Sequence, residues 1–350
     1  MQTIQMSTEN KLIAPTYRVK IKNQKPGYTR LVHKSLRNAI RRPNVIDSSP
    51  SLNVETLSNQ DPQEAISTPG KYAVIVPCYN EENRFPYHAF LSFAQKHPEV
   101  LICFVNDGST DKTLSVLRGI QAECPENIYV YSMKKNGGKS EAVRQGMLHM
   151  HAESGVPLMG FLDADLATLP EEWLQMAKYK EQYPEFGGIV GSRIQRLGAK
   201  INRDDSRSLF SSLVKKFIRI ILRTRFQDTQ CGAKIFHRSL VPVLFRNPFM
   251  TPWLFDVEIF LRLQEKFGKS TLSKGVLEFP LMHWTEVGDS RLKLKHTIKI
   301  PMQLLKLYYQ YHLAGKFNKK NEIPFFTSAN SPASSVPADK IIGGDDLDML

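Results

Sequence analysis

From residue 71 onward, short runs of apolar and β-branched residues alternate with longer segments in which apolar positions recur every three or four residues. The short runs predict β-strands at residues 72–76, 101–105, 128–131, 158–162 and 188–190. The segments between them predict helices over residues 89–96, 113–124 and 140–151. Because strand and helix alternate, we expect an α/β fold with a mainly parallel, Rossmann-like sheet that helices cover on both faces.

The two ends of the chain lack this periodicity. Residues 1–68, which are rich in polar and basic residues, and residues 319–350, which carry a Ser/Pro stretch and an acidic end, have compositions that predict disorder. Between them we expect a single folded domain over residues 69–287 and an amphipathic helical segment over 288–318. Residues 291–316 mix Leu, Ile, Met and Tyr with Lys, so this segment is equally suited to an anionic membrane surface and to packing on the domain.

Charge, hydropathy and cysteine content limit the possible partners and the cellular compartment. The formal net charge of +13 favours anionic partners, which include nucleic acid, anionic lipid and phosphorylated substrates. The chain has no apolar stretch of about 18 residues and no secretory signal pattern, so we expect no membrane span. Its four cysteines are scattered and are expected to be reduced, as in a cytoplasmic protein.

Two carboxylates follow the fourth predicted strand, in Phe161-Leu162-Asp163-Ala164-Asp165. In an extended segment the i, i+2 spacing of Asp163 and Asp165 points both side chains to one side, so two like charges would lie at the end of a buried strand. Mg²⁺ and Mn²⁺ are commonly held by one or two carboxylates together with phosphate oxygens of a substrate. The pair therefore indicates a metal and diphosphate site, although an isolated Asp-x-Asp also occurs in turns and at solvated strand ends.

Each of the first four predicted strands is followed by a polar motif. These motifs are Pro77-Cys78-Tyr79-Asn80-Glu81, Asn106-Asp107-Gly108-Ser109, Asn136-Gly137-Gly138-Lys139 and Asp163-Ala164-Asp165. Ligands of parallel sheets bind beyond the carboxyl ends of the strands, so we expect the four motifs to share one crevice. The second motif is equally typical of a turn followed by a helix cap.

The third motif continues into Ser140 and a predicted helix, which suggests a phosphate-binding loop. The Walker pattern fails, because Met133 stands where that pattern requires a glycine. Gly138 still permits close approach of the backbone, and Lys139 can neutralise a phosphate near a helix N-terminus. A simple turn with a solvated lysine is the alternative.

The ordered series of motifs resembles the donor-binding half of family-2 glycosyltransferases with a GT-A fold. Four later motifs resemble the dolichyl-phosphate glucosyltransferase branch of that family: Gly191-Ser192-Arg193, Asp228-Thr229-Gln230-Cys231-Gly232, Phe255-Asp256-Val257-Glu258 and Trp284-Thr285-Glu286. The resemblance covers residues 70–310. It implies a GT-A catalytic domain over residues 69–287.

The resemblance also implies residue roles. It implies substrate-binding roles for Pro77, Tyr79, Glu81, Asp107, Gly138, Lys139, Asp163, Gln230 and Glu258. Asp163 and Asp165 would hold Mg²⁺ or Mn²⁺, while Lys139 and Arg193 would stabilise a departing nucleoside diphosphate. Asp256 is the candidate base on the acceptor side. The alternative for Asp256 and Glu258 is a helix N-terminus, where the helix dipole favours acidic residues.

The sequence thus predicts a metal-dependent, inverting transferase that moves a hexose from a nucleotide-sugar similar to UDP-glucose to a polyprenyl phosphate or another glycan-pathway acceptor. We expect it in the cytoplasm, peripheral at the inner face of a membrane. A sugar-phosphate nucleotidyltransferase, which would release pyrophosphate, is the alternative enzyme. A non-enzymatic scaffold or nucleic-acid-binding protein is the alternative that the charge raises, but without a recognised nucleic-acid motif we expect no nucleic-acid partner.

Overall fold

A computed structural model describes residues 70–195, 198–202, 208–224, 226–268, 270–285 and 300–314. The predicted tails, 1–68 and 319–350, lie outside the described residues, as do 288–299 and 315–318 of the predicted amphipathic segment. Glu286 of the last motif lies outside them as well. Within the described part of the chain, no helix combines the length and the apolar character that crossing a bilayer would need.

Strand and helix alternate through the first half of the domain, as the periodicity predicts. The elements are β1 (Tyr72–Cys78), α1 (Tyr87–Lys96), β2 (Val100–Asn106), α2 (Thr113–Glu123), β3 (Ile128–Ser132), α3 (Lys139–Glu153), β4 (Leu158–Phe161), α4 (Pro170–Gln182) and β5 (Gly188–Ser192). The five predicted strands and three predicted helices are confirmed, with ends that differ by one or two residues.

The second half is less regular. Its elements are β6 (Lys200–Asn202), α5 (Ser208–Leu222), β7 (Lys234–His237), a 3₁₀ turn (Arg238–Leu240), α6 (Val241–Phe245), α7 (Phe255–Phe267), α8 (Thr271–Gly275), β8 (Val276–Pro280), β9 (His283–Thr285), α9 (Ile300–Tyr308) and a π-helical turn (Tyr309–Leu313). Strands β6 and β9 pair in a small parallel sheet of their own.

The main sheet has seven strands in the order β3-β2-β1-β4-β7-β5-β8. Of these, β7 runs antiparallel to both of its neighbours, and the other paired strands run parallel. The expected mainly parallel sheet is therefore confirmed. Because β7 is reversed, its first residue, Lys234, pairs with Phe161 at the end of β4. The start of β7 thus lies at the same edge of the sheet as the carboxyl ends of the other strands.

The sheet is buried on both faces, and the side chains of β1 show how. Ala73 and Ile75 point into a core that α3, α6 and α7 cover, whereas Val74 and Val76 point into a second core beneath α1, α2 and α4. This alternation follows from the two-residue period of a strand. With both faces occupied by apolar packing, the open edge at the strand ends is where polar side chains collect.

Candidate active site

Asp163 and Asp165 lie just beyond the end of β4, where the sequence predicts a metal site. Asp163 Oδ1 is buried and forms an ion pair with Lys139, whose Nζ lies 2.5 Å away. Desolvation and the nearby Asp163 carboxylate raise the pKa of Asp165. Two crowded carboxylates at one strand end fit a hard divalent cation that takes its other ligands from phosphate and water.

The loop before α3 brings Lys139 to this edge, and Asp107 holds the loop in place. The Asp107 carboxylate accepts hydrogen bonds from Gly137 N at 2.7 Å and Gly138 N at 2.9 Å, and from Asn136 Nδ2 at 3.2 Å. Lys139 follows directly as the first residue of α3. The structure therefore commits the buried Asp107 carboxylate to positioning the glycine loop, a contact that its motif alone does not indicate.

Burial would lower the pKa of Lys139, but the surrounding carboxylates, Asp163 and Asp256 foremost, raise it. Lys139 is thus a cation at neutral pH with acidic groups around it. The turn beneath the loop depends on Gly108, whose φ of +58° suits glycine and whose Cβ, if present, would lie 2.4 Å from the backbone nitrogen of Asn136. The shape of this loop therefore rests on small residues at two strand ends.

Pro77 lies near the end of β1, the loop after β1 carries Tyr79 and Glu81, and hydrogen bonds join this loop to the loop after β2. Asn80 N donates to Ser109 Oγ at 3.0 Å, and Glu81 N donates to Thr113 Oγ1 at 2.7 Å. The Glu81 carboxylate pairs with Arg84, with Nε at 2.5 Å. The structure thus brings the predicted nucleoside-binding residues of these two strand ends together.

Arg193, which follows β5, is paired with Asp228. Its Nε and Nη2 donate to the two Asp228 carboxylate oxygens at 2.6 and 2.9 Å, and its guanidinium lies 5.1 Å from the centre of the Trp284 ring. Burial alone would raise the pKa of Asp228, but hydrogen bonds and charge from Arg193 hold it well below its usual range. Gln230 N donates to the same carboxylate at 3.2 Å, so this pair also shapes the loop that carries Gln230.

A buried lysine that the motifs do not include, Lys234, pairs with Phe161 of β4 and contacts Asp256. Lys234 Nζ is fully buried, 2.6 Å from Asp256 Oδ1 and 2.6 Å from the carbonyl oxygen of Cys231. The one signal in the sequence is a charged residue between the apolar Ala233 and Ile235 at the start of a strand. Asp256, the predicted base, is therefore one half of a buried ion pair.

The structure does not bring Glu258 together with Asp256. Both lie in the first turn of α7, where residues two apart point about 200° away from each other. Glu258 is almost fully buried and accepts hydrogen bonds from Arg262 at 2.9 Å, Met250 N at 2.8 Å and Tyr311 Oη at 3.2 Å. These contacts tie α7 to the loop before it and to the π-helical turn.

The loop before β7 passes very close to the Asp163 carboxylate. A Cβ on Gly232 would lie 2.1 Å from Asp163 Oδ2, so glycine is needed for this approach. Next to it, burial raises the pKa of the Cys231 thiol to about 11. All four cysteines are buried, and none of them forms a disulfide.

One strand edge therefore gathers three carboxylates, Asp163, Asp165 and Asp256, and two cationic side chains, Lys139 and Lys234. Arg193, paired with Asp228, is also subject to the charge of Asp163. Carboxylates next to cations at the end of a parallel sheet can hold a metal ion and the phosphates that share it.

Comparison with known proteins assigns the chain to a family. The family model described as glycosyl transferase family 2 matches residues 73–245. A dolichyl-phosphate beta-glucosyltransferase of Trichomonas vaginalis is 32% identical over 260 residues, which cover 71% of this chain and 73% of that protein. The dolichyl-phosphate beta-glucosyltransferase of Drosophila melanogaster is 33% identical over 242 residues, covering 63% of this chain and 68% of the relative.

Solved structures agree on the fold. Mannosyl-3-phosphoglycerate synthase from Rubrobacter xylanophilus superposes with a TM-score of 0.53 at 14% identity, covering 73% of this chain and 78% of the other. Glucosyl-3-phosphoglycerate synthase from Mycobacterium tuberculosis, crystallised with Mn²⁺ and UDP-glucose, superposes with a TM-score of 0.51 at 15% identity, covering 69% and 79%. The expected GT-A fold is confirmed. By its sequence relatives and its fold, the chain belongs to glycosyltransferase family 2.

Proposed function

We propose that the protein transfers one hexose from a nucleotide-sugar, UDP-glucose or a close analogue, to a polyprenyl phosphate, with inversion at the anomeric carbon and dependence on Mg²⁺ or Mn²⁺. The observation that carries this proposal is the convergence of Asp163, Asp165 and Lys139 at one strand edge, where the two carboxylates crowd each other and Lys139 Nζ lies 2.5 Å from Asp163 Oδ1. This is the place where a sugar diphosphate and its metal ion would lie in such a fold.

The donor half of the proposal rests on charge. Asp163 and Asp165 would hold the divalent ion, which when bound supplies positive charge to the diphosphate. Lys139 lies beside them and would contact the same phosphates, so negative charge that develops on the leaving group meets a fixed ammonium. The resolved structure of glucosyl-3-phosphoglycerate synthase with Mn²⁺ and UDP-glucose supports the choice of donor and metal.

The acceptor half rests on Asp256 and on the relatives. The sequence relatives are named for transfer to dolichyl phosphate, which supports a polyprenyl-phosphate acceptor. An oxygen of such a phosphate attacks the anomeric carbon as the bond from that carbon to the diphosphate oxygen breaks, and the nucleoside diphosphate leaves. Because the attacking oxygen is already anionic near neutral pH, no proton has to be removed.

In this reaction Asp256 acts as a positioning group. Its carboxylate is held by Lys234 at 2.6 Å, so it is fixed in place at the acceptor side and its charge is balanced. With a neutral hydroxyl acceptor, Asp256 would instead have to serve as the base. The two cases differ in the acceptor that supports turnover. We further propose that the enzyme works at the cytoplasmic face of a membrane, where a lipid phosphate is presented.

The donor and metal are tested by measuring the products that purified protein releases from a panel of nucleotide-sugars, with Mg²⁺, with Mn²⁺ and with a chelator. We expect metal-dependent release of a nucleoside diphosphate, with the highest rate for UDP-glucose. Asp165→Asn should abolish release, whereas Glu185→Gln, at an exposed carboxylate in the turn between α4 and β5, should leave it unchanged. Release of pyrophosphate, or full activity in Asp165→Asn, would contradict the proposal.

A further inference from the structure

Helices α5 and α9 expose a cluster of large apolar side chains. Six of the eight large apolar residues that are exposed in the described part of the chain belong to these helices and the adjoining π-helical turn. They are Phe217, Ile220, Met302, Leu305, Tyr309 and Leu313. Their spacing of three or four residues places them along one side of each helix. We call this surface the α5–α9 face.

The two helices form one packed unit. Leu304 and Leu307 of α9 are buried in the same apolar core as Ile218 and Ile221 of α5, and His312 Nε2 lies 2.8 Å from the Ile221 carbonyl oxygen. The opposite sides of both helices are therefore occupied by the protein itself. The outward sides stay exposed, with 66% of Leu305 and 56% of Ile220 open to solvent. A contiguous exposed apolar surface of this kind is typical of an interaction site.

The described residues of α5, α9 and the π-helical turn carry basic side chains and no acidic ones. Residues 208–224 contain Lys215, Lys216, Arg219 and Arg223 and no acidic residue, and residues 300–314 contain Lys306 and no acidic residue. Lys216, Arg219, Arg223 and Lys306 are exposed. Two copies of such a surface would repel each other. Apolar side chains bordered by lysine and arginine instead complement a bilayer that has anionic headgroups and an apolar interior.

Hydrogen bonds link this face to the catalytic helix. Tyr311 Oη, in the π-helical turn, donates to Glu258 Oε1 at 3.2 Å, two residues from Asp256 on α7. Lys306 Nζ donates to the carbonyl oxygen of Met250, whose own N–H is bonded to Glu258. The face therefore cannot move far without moving α7, which carries the acceptor-side carboxylate.

From these observations we infer that the α5–α9 face docks on an anionic lipid bilayer and, through Tyr311 and Glu258, holds α7 at the lipid surface. This inference rests on the proposed function only in the purpose of docking, which is to bring the site to an acceptor that resides in the membrane. The docking itself follows from exposure and charge. It also provides a use for Glu258 in place of the substrate contact that the sequence resemblance implies.

Vesicle co-sedimentation of the full chain tests the inference. We expect binding to vesicles of equal parts phosphatidylcholine and phosphatidylserine, weaker binding to phosphatidylcholine alone, and weakening with added salt. The double variant Ile220→Glu/Leu305→Glu should reduce the affinity for the anionic vesicles by about tenfold or more, because two apolar side chains that insert into the bilayer are replaced by carboxylates. Tyr183→Glu, an exposed aromatic outside the face, is the matched control and should bind as the wild type does.

Equal vesicle binding by the double variant and the wild type would overturn the inference, as would the absence of any vesicle binding. A change of oligomeric state in the double variant, without a change in vesicle binding, would also overturn it and assign the face to self-association. Turnover of a short-chain, water-soluble polyprenyl phosphate in vesicle-free buffer separates the two proposals. The double variant should retain it, and its absence in the wild type would count against the proposed function alone.

Discussion

Replacing Lys234 with methionine should destabilise the protein more than any surface substitution. Lys234 is fully buried, and its ammonium is 2.6 Å from Asp256 and 2.6 Å from the Cys231 carbonyl oxygen. Methionine has nearly the same length but no charge, so Lys234→Met leaves a carboxylate that is 8% exposed without its nearest cation. It also leaves a buried carbonyl oxygen without its donor.

Removing one partner of a buried ion pair costs about 3–5 kcal/mol, because the remaining charge stays in a poorly solvated place. We expect Lys234→Met to lower the free energy of unfolding by this amount. The double variant Lys234→Met/Asp256→Leu should recover most of the loss, since replacing a whole buried pair with apolar residues is often neutral. Activity should stay low in both variants because Asp256 is misplaced in one and absent in the other.

Urea denaturation of the wild type, both single variants and the double variant gives the complete cycle. Lys200→Met is the matched control, because Lys200 is exposed, and its effect should stay within about 0.5 kcal/mol. A loss below about 1 kcal/mol in Lys234→Met, or a double variant that loses the sum of the two single losses, would refute the reasoning that the two side chains form a coupled buried pair.

Three further outcomes are expected. Gly232→Ala places a methyl group 2.1 Å from Asp163 Oδ2 and should displace that carboxylate. Titration with Mn²⁺ and nucleotide should then show about 10–100-fold weaker binding, while the circular dichroism spectrum stays unchanged. Unchanged binding would contradict the close contact between Gly232 and Asp163. Asp107→Ala leaves the amides of Gly137 and Gly138 without their acceptor and should cost about 1–3 kcal/mol in thermal unfolding and raise the donor KM. Burial would raise the pKa of Asp228, but the contacts with Arg193 lower it below its value in the unfolded chain. The Arg193–Asp228 pair therefore stabilises the fold fully above about pH 4, and this contribution is lost as the pH falls further. The stability gap between wild type and Asp228→Asn should therefore narrow in acid, and a gap that widens there would contradict the pairing.

Local signals account for the parts of the protein that the sequence predicts well. The apolar runs of β1, β2 and β4 define buried strands, and polar residues directly after them must lie at the strand ends. The pair Asp163 and Asp165 can be located in this way because strand and motif are contiguous. The mainly parallel arrangement of the five predicted strands and the meeting of their polar motifs at one edge both follow from such short-range patterns.

Contacts between distant segments account for what the sequence does not reveal. Lys234 and Asp256 are separated by 22 residues, and nothing in either motif indicates that a reversed strand brings them together. Asp107 is predicted to bind substrate, whereas in the structure its carboxylate accepts hydrogen bonds from backbone amides 30 and 31 residues away. The family resemblance implies a substrate-binding role for Glu258, but on α7 residues two apart point in different directions, and Glu258 is bonded to Arg262 and Tyr311 instead. The predicted substrate and metal roles remain predictions.

The most direct test of the central claim is isolation of the lipid product. Purified protein is incubated with Mn²⁺, labelled UDP-glucose and a polyprenyl phosphate, and the organic extract is analysed by mass. We predict a polyprenyl phosphate that has gained one hexose, formed by the wild type and not by Asp165→Asn or by reactions without metal. Hexose transfer only to water-soluble acceptors, or an unchanged lipid after complete donor turnover, would contradict the account.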